Sequence, residues 1–143
     1  MRYWDASALV PLCTHEPSTP RLRVLAREGP IVTWCLSRVE IASAVERRAR
    51  EKQLSAAARL RALENLAALS AAWVEVTAVA AVRDQALALL ARHPLRAADA
   101  LQLGAAAVAA GGSVTAHSFV CTDTRLRSAA AREGFTTPAT EPS

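Results

Sequence analysis

The sequence predicts an α/β fold, a three-layer α/β/α sandwich around a short, mainly parallel sheet. Two observations carry that expectation. Short runs of β-branched and aromatic residues alternate with segments of helical pattern, and that alternation produces a parallel sheet covered by helices. Carboxylates also stand where one element hands over to the next, at Asp5, Glu40, Asp99 and Asp123. Sites in parallel sheets form beyond the carboxyl ends of the strands, so these four are the candidate site residues.

Each element has a local reason. Arg2-Tyr3-Trp4 reads as a first strand ending at Asp5, and Ala6 to Cys13 as a compact apolar helix closed by Thr14 and Pro17. A helix from about Thr19 to Arg27 stops at Gly29-Pro30. Ile31 to Trp34 is the second strand. Ser37 opens a long helix to about Lys52, and Ser55 another to about Ser70, with Leu60, Leu63, Leu66 and Leu69 at three-residue steps. Trp73 to Val76 is the third strand. Val79 to Arg92 is a helix with Val82, Leu87 and Leu90 on one side. Arg96 to Ala110 is the most apolar helix and ends at Gly111-Gly112. Gly104 inside it costs about 1 kcal/mol against alanine, which implies close packing there. Phe119 to Thr122 is the fourth strand, Leu126 to Arg132 a short helix, and Gly134 to Thr136 a last strand. One domain is expected over 1–137, with 138–143 a disordered polar tail.

The totals limit the function. A chain of 143 residues buries roughly 68–70% of its unfolded surface and needs no disulfide or structural metal. Only 4% of residues are aromatic, so aliphatic side chains build the core. A net charge of +4 and a pI near 9.6 favour a polyanionic partner. Cys13, Cys35 and Cys121 are odd in number and widely spaced, which points to reduced thiols in the cytoplasm. No apolar stretch is long enough to suggest a membrane span.

Each acid has a modest explanation on its own. Asp5 and Asp123 suit helix caps, and Asp99 suits the positive end of a helix dipole. Ser37-Arg38-Val39-Glu40 matches a capping box, in which Glu40 would fold back onto the Ser37 amide. Together, four carboxylates on one sheet edge would repel one another unless protonated or neutralised. One or two Mg2+ or Mn2+ ions would neutralise them with oxygen ligands and suit phosphate chemistry. Arg47, Arg48, Arg50 and Lys52 form the densest basic run, fit either for RNA phosphates or for a solvated helix face. His15, His93 and His117 share no ligand spacing.

The motifs around the acids resemble those of the PIN-domain family, and more narrowly of VapC-type ribonuclease toxins of bacterial toxin–antitoxin systems. Tyr3 to Val10 resembles the first acidic motif, Arg38 to Ile41 the second, Leu95 to Leu103 the third and Phe119 to Leu126 the fourth. The resemblance runs from residue 3 to about 136. It implies a Mg/Mn-dependent endoribonuclease with Asp5, Glu40, Asp99 and Asp123 as catalytic metal ligands and Ser7 as a hydroxyl near substrate. It also implies a cognate antitoxin and a homodimer. Pro11 and Cys121 depart from the pattern, standing where basic and hydroxyl residues are common.

Two other readings compete. An aspartyl-phosphate enzyme would want a second aspartate at Ser7, or a lysine near the last strands, and the only lysine is Lys52. A catalytically silent PIN-like module would bind RNA or act as a scaffold, and the intact acids argue against it.

Overall fold

The computed structural model describes residues 1–142 and is built on four short parallel strands. β1 (Arg2–Trp4), β2 (Val32–Trp34), β3 (Val74–Val76) and β4 (Ser118–Val120) lie in the order β3-β2-β1-β4. The helices between them are α1 (Ala6–Cys13), α2 (Thr19–Arg27), α3 (Ser37–Arg50), α4 (Ala56–Ala72), α5 (Val79–Arg92), α6 (Ala97–Ala110) and α7 (Thr124–Arg132). A single 3-10 turn, Val114–Ala116, precedes β4.

Successive strand side chains point to opposite faces, and this splits the core in two. Tyr3, Trp34 and Phe119 pack with Val82, Leu89, Leu103 and Leu126 from α5, α6 and α7. Trp4 and Val120 pack on the other face with Leu9, Leu22, Ile41 and Leu66 from α1 to α4. The result is the expected three-layer sandwich. β1, β2 and β3 step outward in order, and the chain then returns to place β4 on the far side of β1. The reversal leaves a crevice beyond the carboxyl ends of β1 and β4, the usual place for a site in such sheets.

Several local expectations are corrected. In α5, Val82 is buried with Ala86 and Leu89, while Leu87 and Leu90 are exposed. In α4, Ala62 and Leu66 are buried and Leu60 faces solvent. Three-residue steps fall short of the 3.6-residue turn, so such a leucine series drifts around the helix instead of holding one face. The last strand reduces to one parallel bridge between Ser118 and Thr136. The segment 138–142, expected to be disordered, lies against the body. Thr140 is buried with its hydroxyl 3.4 Å from the Cys121 carbonyl, the Ala139 carbonyl accepts from Arg21, and Glu141 pairs with Arg127. Ser143 lies outside the described residues.

Gly104 earns its place at the α5–α6 contact. A Cβ there would stand 2.9 Å from the Val82 carbonyl oxygen and 3.1 Å from the Ala86 nitrogen, both backbone atoms. This close approach fixes α6, which carries Asp99 and Gln102, against its neighbour.

Candidate active site

Asp5 ends β1 and begins α1. Its backbone N–H donates to the Val120 carbonyl at 3.0 Å, extending the β1–β4 ladder by one residue. Its carboxylate caps α1, with Oδ2 accepting from the Ser7 backbone N–H at 3.1 Å and from the Ser7 hydroxyl. The side chain is buried, and burial pushes its pKa up to about 6. The Ser7 hydrogen bonds oppose the rise, and the charge of Asp99 adds to it. Cys121, buried at the end of β4, lies 3.6 Å from the same Oδ2, and its thiol is pushed well up chiefly by burial and then by Asp5.

Glu40 does not form the capping box. Leu36 occupies the cap position of α3 and makes no side-chain cap bond; Ser37 is already inside the helix. The buried Ser37 hydroxyl instead meets Thr33 Oγ1 at 2.7 Å and accepts from Gln102 Nε2 at 3.0 Å. The same Gln102 nitrogen donates to Glu40 Oε2 at 2.8 Å, and its Oε1 accepts from the Tyr3 hydroxyl at 2.6 Å. This network ties β1, β2, α3 and α6 together and holds the Glu40 carboxylate in place. Burial raises the Glu40 pKa to about 7; Gln102 opposes the rise, while Asp5 and Asp99 reinforce it.

Asp99 lies in the first turn of α6 and Asp123 caps α7, accepting from Leu126 N–H at 3.0 Å. The two line one recess of about 440 Å³ with Arg96 and Arg125. Burial raises the Asp99 pKa, Asp123 adds to the rise, and the two arginines counter it. The charge of Asp99 thus raises the proton affinity of Asp5, Asp5 and Asp99 both raise that of Glu40, and Asp123 acts on Asp99.

Among the described residues, no group of three or more His, Cys, Asp or Glu side chains is placed to hold a metal ion. The donors are oxygens with excess negative charge. That chemistry fits a hard cation such as Mg2+, which binds through one or two carboxylates and keeps several waters. The histidines stand apart: His15 is exposed, His93 pairs with Glu133 at 2.6 Å, and His117 meets the amino terminus.

The sequence singled out the four acids and Ser7 but not Gln102, Arg96 or Arg125. Gln102 left one signal, a lone polar residue in an apolar helix three positions after Asp99.

The acids at the reversal point of the parallel sheet mark the candidate site of this α/β domain. Residues 2–131 match the PIN domain family, and the chain belongs to it. PIN domains are generally nucleases that use divalent metal ions. No curated protein matches the chain significantly. Among the described residues no helix is long and apolar enough to cross a membrane.

Proposed function

We propose that this protein is an endoribonuclease that hydrolyses RNA phosphodiester bonds with Mg2+ or Mn2+, and that it is the toxin of a type II toxin–antitoxin pair. One observation carries the nuclease part: in a PIN domain, Asp5 at the end of β1, Asp99 in the first turn of α6 and Glu40, held by Gln102, stand near enough for the charges of Asp5 and Asp99 to act on Glu40, and Asp99 shares a recess with Asp123. Carboxylates kept together with no cation among them are costly, and a divalent ion would relieve that cost. The toxin role, the cognate antitoxin and a homodimer rest on the motif resemblance; the basic charge favours RNA, and the scattered thiols fit the cytoplasm.

Asp5, Asp99, Asp123 and Glu40 would hold one or two ions. Such an ion stabilises charge developing on phosphorus and lowers the pKa of a water. The chain's own residues do the rest. Ser7 steadies Asp5 and presents a hydroxyl at the crevice. Gln102 keeps Glu40 oriented and sustains its ionised form. Arg96 and Arg125 flank the acids and would grip phosphate oxygens of the substrate. None of the acids needs to attack the substrate itself.

The test is cleavage of total RNA by purified protein with Mg2+ or Mn2+, with EDTA, and by Asp99→Asn. Cutting that needs the cation and is lost in the variant supports the proposal. Cutting that persists in Asp99→Asn refutes the site. RNA held tightly but never cut with any cation would favour the silent binding module.

A further inference from the structure

The basic run of α3 is sorted by its partners. Arg48 is committed: Nη2 lies 2.9 Å from Glu16 Oε1, and Nη1 lies 3.3 Å from Thr14 Oγ1. Arg47 is exposed and has no carboxylate partner among the described residues. It lines a recess of about 480 Å³ together with Ser7, Ala44 and Thr122.

The recess is joined to the acid site in two ways. Glu40, Ala44 and Arg47 follow one another at four- and three-residue spacing, so they form one stripe along α3. Glu40 and Arg47 are two turns, about 10 Å of helix axis, apart. Ala44 between them is small and blocks nothing. Ser7 belongs to both places. It donates to Asp5, its Oγ accepts from Thr122 N–H at 3.1 Å, and it lines the recess. Glu16 at the rim is neutralised by Arg48, which leaves Arg47 as the unpaired charge.

We propose that this recess is a subsite for an RNA phosphate flanking the scissile one, with Arg47 as its cation and the Arg48–Glu16 pair as a strut. A strand bound over the acids would run along the stripe and bring a neighbouring phosphate to Arg47, whose guanidinium fork suits its oxygens. The subsite rests on the ribonuclease reading given above.

The test uses Asp99→Asn protein, so that RNA stays intact, and the anisotropy of a labelled single-stranded RNA against salt. Adding Arg47→Gln should weaken binding at least threefold at low salt. Loss of one phosphate contact lowers the salt slope by about 0.7, so the deficit should shrink about 2.6-fold between about 50 and about 200 mM salt. Arg47→Lys should restore the slope, and the exposed Arg50→Gln should change nothing. In the cleaving protein, Arg47→Gln should raise KM more than it lowers kcat. Unchanged affinity and slope in Arg47→Gln, or an equal loss in Arg50→Gln, overturns the subsite. RNA that is gripped through Arg47 but never cut would keep the subsite and remove the nuclease reading.

Discussion

Asp5→Asn should destroy activity and yet make the metal-free protein more stable at neutral pH. Asp5 is 4% exposed, and its pKa rises from 3.8 to about 6, mainly through burial. Each pKa unit is worth about 1.4 kcal/mol, so ionised Asp5 costs the fold on the order of 3 kcal/mol. Asparagine removes the charge but caps a helix about as well, with an oxygen still able to accept from Ser7. A net gain of about 1–3 kcal/mol is expected, several degrees in Tm for a chain of this size. The pH dependence fixes the sign. A carboxyl whose folded pKa is raised binds more protons folded than unfolded, so the wild type loses stability as pH climbs from about 4 to about 6. Below about 4 both states are protonated and the variant's advantage disappears. The assay is urea or thermal unfolding in EDTA at about pH 4 and about pH 7.5, for both proteins. Mg2+ at a hundredfold excess over its Kd should return about 2.7 kcal/mol to the wild type and far less to the variant. If Asp5→Asn is no more stable than wild type at the higher pH in EDTA, Asp5 is not the strained buried charge described here.

Two further substitutions probe the frame around the acids. Gln102→Leu should destabilise the protein by at least about 2 kcal/mol in urea unfolding, since each buried polar group left without its partner costs about 1–3 kcal/mol. Tyr3, Ser37 and Glu40 all bond to that amide, so a neutral result would mean the network has no energetic role. Gly104→Val should cost about 1–3 kcal/mol by overpacking, because its Cβ would press on the Val82 and Ala86 backbone. It should also reduce cleavage by moving α6 and Asp99, whereas an unchanged Tm would show that the helices separate freely.

Much of the frame was legible because its signals are local. Strand runs, helix stops at Gly29-Pro30 and Gly111-Gly112, and a glycine inside an apolar helix depend on a few neighbouring residues. Three of the four strands were expected one residue longer than observed, and β4, expected from Phe119 to Thr122, runs from Ser118 to Val120, since short-range pattern does not say where ladder pairing begins or ends. The leucine series in α4 and the face of α5 misled for a related reason. In an alanine-rich helix, small residues can face the core, and periodicity of large residues does not reveal it.

The acids show the division most clearly. Asp5 and Asp123 are indeed helix caps, and each caps while standing at the crevice, so local and site readings were not exclusive. Ser37 and Glu40 match a capping box in sequence, yet Gln102, 62 positions beyond Glu40, bonds to both. No local rule could weigh that partner. Sequence alone determined the element order, the sheet class and which carboxylates sit at strand and helix ends, because propensity and capping act over a few residues. Tertiary structure decided the strand order, the recess that Asp99 and Asp123 share, the bond that holds Glu40 and, among the described residues, the pairing of Arg48 but not Arg47 with a carboxylate. Those depend on groups far apart in the chain that only packing brings within reach.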